Sequence, residues 1–151
     1  MDQNVPPSGK VSVVVLNWNG LRFLDSCISS LMEQTQPGHE IILVDNASSD
    51  GSVEYVKSNF PSVKVVQNRK NLGFAEGLNV GIRSSTRDYV IVLNNDTRVP
   101  TDFIEVLANC ASADPQIGSV SCKLIQGEGV IKYGPMFTNN GFFVPLFMGN
   151  N

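Results

Sequence analysis

Histidine occurs once in this 151-residue sequence, as His39, and cysteine three times, as Cys27, Cys110 and Cys122. A single histidine, in what reads as a surface turn, leaves no Ser-His-Asp set and no HExxH helix, which excludes hydrolases of those kinds. The cysteines are odd in number, widely spaced and without a CxxC pair, so neither a disulfide framework nor a zinc site is expected. They read instead as small buried apolar groups in a protein of the reducing cytosol. Basic charge is not in excess: 11 Lys and Arg stand against 14 Asp and Glu, for a net charge of -3. Nucleic acid is therefore not an expected partner, because binding a polyanion needs a basic surface that releases counterions. Long apolar runs are missing too. The longest late one, residues 142–148 (FFVPLFM), is far below the ~20 residues a bilayer demands, so no transmembrane segment is expected. Residues 1–9 lack the basic start and apolar core of a signal peptide and read as a flexible tail. Finally, Gly73, Gly77 and Gly81 do not make GxGxxG, and no GxxxxGK[ST] occurs, which removes the dinucleotide fingerprint and the P-loop.

What is present is alternation. Apolar, β-branched runs at 10–16, 40–44, 63–66, 89–97 and 117–125 read as five strands. Between them, helical spacing predicts helices over about 21–35, through Val53 to Lys57, over 72–82, and from Pro100 through Ala111. After Gly127 the pattern loses its period. Strands that are apolar throughout, alternating with helices, indicate an α/β domain whose mostly parallel, Rossmann-like sheet is covered by helices on both faces. The helix over 72–82 carries three glycines on one face, which implies that either the sheet or a ligand passes close to it.

Ligands of open parallel sheets bind beyond the carboxyl ends of the strands. Four successive strands here end in polar clusters: Asn17/Asn19, Asp45/Asn46/Asp50, Asn68/Asn71 and Asn94/Asn95/Asp96. Any one of them is satisfied by a turn or a helix cap, which Asn, Asp and Ser fill routinely, and for residues 48–52 that plain role is the more frequent one. Four on one edge point to a site. A carboxylate such as Asp45 can accept the N3–H of uracil or thymine or the N1–H of guanine but finds no such donor on cytosine, which favours UDP, dTDP or GDP. Asp96 suits a hard divalent cation, Mg2+ or Mn2+, that takes its other ligands from substrate phosphates.

The motifs VSVVVLNWNG (11–20), LDSCISSLMEQT (24–35), EIILVDNASSDGSVEYV (40–56), NLGFAEGLNVGI (71–82) and YVIVLNNDTRVPTDFIEVL (89–107) resemble, in order and spacing, the family 2 glycosyltransferases of GT-A fold. The resemblance covers residues 10 to about 125. It implies that Asn17 and Asn19 lie beside the nucleotide, that Asp45, next to Asn46, reads the base, and that the stretch from Asn71 through Gly73 to Asn79 approaches the sugar diphosphate. Asn94-Asn95-Asp96 stands where the family has DxD, with asparagine at the first position, so Asp96 is the implied metal ligand. Such NND variants look similar to rhamnosyl and related branches, a hint of dTDP-sugars.

The implied activity is transfer of a sugar from a nucleotide-diphosphate donor to a saccharide or lipid-linked acceptor hydroxyl, by metal-assisted inverting displacement. The family's second half, which carries the Asp general base, has no counterpart after residue 125, so the base is expected beyond Asn151. This leaves residues 10–126 as the nucleotide-sugar-binding domain and 127–151 as an incomplete start of the acceptor side. The alternative is a non-catalytic sugar-nucleotide binding module; a nucleotidyltransferase would want a basic, glycine-rich loop where Asn17-Trp18-Asn19-Gly20 stands. Phe137, Phe142, Phe143 and Phe147 are expected to pack on the sheet edge or, if a missing half covers them, to drive homo-oligomer formation. The expected location is cytoplasmic, with membrane association of a longer parent protein left open.

Overall fold

The computed structural model describes residues 10–122, 124–126 and 130–133. By its contacts the chain divides into two compact units, Met1–Asn109 and Cys110–Asn151. In the first, β1 (Val11–Asn17), α1 (Leu21–Met32), β2 (Glu40–Asp45), α2 (Ser52–Asn59), β3 (Lys64–Gln67), α3 (Gly73–Ser84) and β4 (Tyr89–Asn94) follow one another, and α4 (Phe103–Ser112) begins. The four strands form one parallel sheet in the order β3-β2-β1-β4. This is the expected α/β architecture. All strands run the same way, so their carboxyl ends, at Asn17, Asp45, Gln67 and Asn94, lie along one edge.

Strand alternation divides the core in two. Val13 and Val15 of β1 and Ile41 and Leu43 of β2 pack with Leu24, Ile28 and Leu31 of α1, Val56 of α2 and Ile104 of α4. On the opposite face Val14, Ile42 and Val44 meet Leu78 and Val80 of α3. The glycine face of α3 has its explanation in that contact. A Cβ on Gly81 would run into Val14 and Val44, and one on Gly77 would stand 2.6 Å from Leu16 Cδ1 and 2.9 Å from Asn46 Nδ2. Glycine lets the helix lie directly on the sheet. Of the two possibilities left open by the sequence, the sheet is the neighbour at Gly81, while at Gly77 it shares the place with a residue of the candidate site.

Three expectations need correction. Strand β4 is apolar along its length but not covered on both faces: Tyr89, Ile91 and Leu93 turn inward, whereas Val90 and Val92 are 36% and 50% exposed. It is the last strand of the described sheet, and α3 lies over β1 and β2 instead. The strand expected over 117–125 is only Leu124–Gln126 (β5), paired antiparallel with a strand the sequence reading missed, Val130–Tyr133 (β6). Gly118, Ser119 and Ser121 interrupt the run's apolar character, and Gly127-Glu128-Gly129 between the strands has hairpin-loop composition. Of the cysteines, only Cys27 is buried; Cys110 and Cys122 are exposed.

His39 is half-buried, its two ring nitrogens 3.0 Å from Gln36 O and 2.8 Å from Leu31 O, at the end of α1. No helix among the described residues is long and apolar enough to cross a membrane. The aromatic segment 137–147, with the oligomer contact expected of it, lies outside the described residues.

Candidate functional site

A cleft of about 370 Å³ opens at the carboxyl ends of the strands. Its lining comes from the end of β1 (Leu16, Trp18), the residue after β2 (Asn46), the start of α3 (Asn71, Gly73, Phe74) and the end of β4 (Asn94, Asn95, Asp96). Two large aromatic side chains stand at it almost bare: Trp18 is 58% and Phe74 63% exposed. Neither was singled out from the sequence. An aromatic in the turn after a strand, and another in the first turn of a helix on the same sheet edge, were the available signals.

The cleft brings together Asn46, Asn71, Gly73, Asn94, Asn95 and Asp96 of the ten residues proposed from the sequence, and leaves four outside its lining. Asn17 is fully buried. Asn19 adopts a left-handed conformation, φ 50°, and closes the loop after β2: its N–H donates to Ser48 Oγ, and its Oδ1 accepts from Ser49 N–H. Asn79 is exposed along α3, two turns from its start, where it donates to Glu76. Asp45 is 1% exposed, with Oδ1 accepting from Asn17 Nδ2 and Oδ2 from Ser48 N–H. Period-two alternation accounts for this: Asp45 follows Leu43 onto the α1 face, and Asn46 follows Val44 onto the α3 face, where the cleft lies.

Asn46 is held at both ends of its amide. Its Nδ2 donates to Gly73 O at 3.0 Å, and its Oδ1 accepts from Asn68 Nδ2 at 2.8 Å. The same Gly73 has φ 77°, a conformation that costs glycine little, and its N–H donates to Asn71 Oδ1 at 2.8 Å. The chain thus turns sharply into α3 with the first backbone N–H groups of a 12-residue helix at the cleft wall. Such a terminus favours an anion through its unpaired donors and its dipole.

Across the cleft, residues 94–97 form a turn closed by Thr97 N–H on Asn94 O. Beneath it lies Cys27, whose thiol donates to Asn94 O at 3.8 Å. Burial, with the nearby Asp96 charge, pushes that thiol up to about 12, so it stays protonated and acts as packing. Asp96 itself is exposed and makes no hydrogen bond or ion pair among the described residues. It is the one carboxylate of the lining, and no group of three or more His, Cys, Asp or Glu able to hold a metal occurs among the described residues. This donor set fits a hard cation that brings phosphate oxygens with it, and not a closed protein cage.

Behind the cleft, Asp50 braces two helices. Its carboxylate accepts from Leu21 N–H, the first residue of α1, and from the N–H and hydroxyl of Ser52, the first of α2. Burial raises its pKa, but those hydrogen bonds outweigh it and hold the carboxyl below its ordinary value.

Residues 12–145 match the model of Glycosyl transferase family 2. Over 107 residues the chain is 36% identical to a cholesterol galactosyltransferase of Borreliella burgdorferi, covering 70% of this chain and 30% of that protein. Among solved structures it is similar to the mannosyltransferase PcManGT of Pyrobaculum calidifontis in complex with GDP-Man and Mn2+. That match has a TM-score of 0.70 and 26% identity, covering 78% of this chain and 36% of the other. TarS of S. aureus in complex with UDP-GlcNAc shares the fold, with a TM-score of 0.63 over 69% of this chain and 31% of that one. The chain therefore spans about a third of the length of the relatives it matches. With its parallel sheet and its strand-edge cleft, the chain belongs to glycosyl transferase family 2.

Proposed function

We propose that this chain forms the donor-binding part of a glycosyltransferase that moves a sugar from a nucleotide diphosphate onto an acceptor hydroxyl. The observation that carries the reading is the cleft itself, where Asp96, without a partner among the described residues, shares the lining with the start of α3 in a space open to solvent. A diphosphate placed there would meet the backbone N–H of Phe74, in the first turn of α3, on one side and a cation held by Asp96 on the other. Bound Mg2+ or Mn2+ would supply neutralisation of the charge that develops on the leaving diphosphate.

Trp18 offers a flat apolar surface for a base or sugar, and its neighbour Leu16 adds an apolar floor. Base recognition at the end of β2 falls to Asn46 in the cleft, with Asp45 behind it. UDP, dTDP and GDP stay the candidate donor nucleotides, and relatives solved with GDP-Man and UDP-GlcNAc support that range. Inverting displacement, with a base supplied from outside the cleft lining, is part of the same proposal.

Calorimetry tests it. UDP, dTDP and GDP are titrated in turn, with Mn2+ and then with EDTA. The reading predicts binding of at least one nucleotide, tighter with Mn2+; no binding of any under either condition overturns it.

A further inference from the structure

Side chains from three neighbouring strand ends form one hydrogen-bonded chain, buried at Asn17 and Asp45 and half-buried at Asn95. Asn17 donates from Nδ2 to Asp45 Oδ1 at 3.1 Å and to Ser48 Oγ at 3.2 Å, and its Oδ1 accepts from Asn95 Nδ2 at 2.7 Å. An amide can be turned over, so its direction must be argued from its partners. Asp45 decides it here, because a carboxylate accepts and does not donate. Asn17 has to turn its NH2 toward Asp45, which leaves its carbonyl oxygen for Asn95. Asn95 in turn has to offer its NH2 to Asn17. What Asn95 retains is Oδ1, which has no hydrogen-bond partner among the described residues, and Asn95 lines the cleft next to Asp96.

Gly20 guards the link. A Cβ at that buried position would strike Asn95 Nδ2 and stand 2.6 Å from Asn17 Oδ1, so only glycine leaves room for the Asn17–Asn95 bond. We propose that Asp45, acting through Asn17, fixes the sense of the Asn95 amide and so presents Asn95 Oδ1 in the cleft as a second oxygen ligand, beside Asp96, for the divalent cation. Neutral amide oxygens are ordinary ligands of hard cations. Asp45 is then a positioning residue and Asn95 a cation-binding one. The inference rests on the reading of the cleft as a nucleotide-diphosphate and cation site.

The test measures how far Mn2+ tightens binding of UDP, dTDP or GDP, by calorimetry against EDTA, in the full chain and in D45N, N95A and the double variant. Each single substitution is expected to reduce the Mn2+ enhancement roughly ten-fold, the scale of losing a group that orients or supplies a metal ligand. The loss is expected in the ratio of Mn2+ to EDTA affinity, and the double variant is expected to fall no further in that ratio, since both changes remove one oxygen. Full enhancement in D45N, or effects that multiply in the double variant, overturns the relay while leaving the cleft reading intact. Failure of the unaltered chain to bind any of the three nucleotides overturns both.

A second arm guards against misfolding. In D45N/N95D the relay can run backwards with every bond kept. The amide at position 45 accepts from Ser48 N–H and donates to Asn17, and Asn17 donates to the carboxylate at position 95. The melting temperature of that swap is expected to recover most of what each single variant loses. Additive losses contradict the relay.

Discussion

Among the described residues Asp96 has no hydrogen-bond or ion-pair partner, while almost every other polar side chain at the strand edge is tied down. On the proposed reading Asp96 holds the cation, so Asp96→Ala should abolish the Mn2+ dependence of nucleotide binding, a loss of roughly 10–100-fold measured with Mn2+ against EDTA. Equal loss under both conditions would assign the residue to the fold. Asp50 makes a contrasting prediction. Its carboxyl sits below the ordinary aspartate value in the folded protein, so its contribution to stability is present above that ordinary value and lost as pH falls through the lower folded one. Asp50→Ala should cost about 1 kcal/mol near neutrality, since two helix starts lose their acceptor, and the gap to the parent should narrow in thermal unfolding as pH falls below the ordinary carboxylate range. A constant gap would assign the loss to packing.

At this scale the sequence was most informative about which residues crowd the strand ends and least about which way they face. Six of the ten proposed positions line the cleft. Asp45 and Asn46 are both polar and adjacent, and only the position of α3 decides which of them a ligand can reach. Trp18 and Phe74 escaped because an exposed aromatic looks, in sequence, like one more core residue.

Among the elements, α3 connects packing to the site. Its glycines allow the helix to lie on Val14 and Val44, and the helix start forms one wall of the cleft. In a free helix, Gly→Ala gains up to ~1 kcal/mol. Gly81→Ala should instead destabilise by about 1–3 kcal/mol, because the added methyl overpacks against the two valines. Denaturant unfolding checks this, and a stabilised variant would show that the helix does not lie as close as described. Gly77→Ala should add a functional loss, since its methyl displaces Asn46 as well as Leu16. Strand and helix order were legible because continuous β-branched runs and helical spacing alternate without ambiguity up to α4. The exposure of Val90 and Val92 was not, because an apolar strand reads the same in sequence whether one face or both are covered.

For the molecule as a whole, the described sheet and its cleft lie within Met1–Asn109, and the chain's match spans about a third of the length of its relatives. The second unit resisted the sequence because its strands are short, its run over 117–122 is broken by glycine and serine, and β6 carries no strong period. What unites the observations is one claim, that a cation and a nucleotide diphosphate share the space between Asp96 and the start of α3. Paramagnetic broadening of backbone amide resonances tests it most directly, with trace Mn2+ added to the chain in the presence of the nucleotide it binds. The account predicts selective loss of the signals of Asn71, Gly73, Asp96 and Thr97, with Val63 and Ile104 spared; broadening centred elsewhere, or none with nucleotide bound, would contradict it.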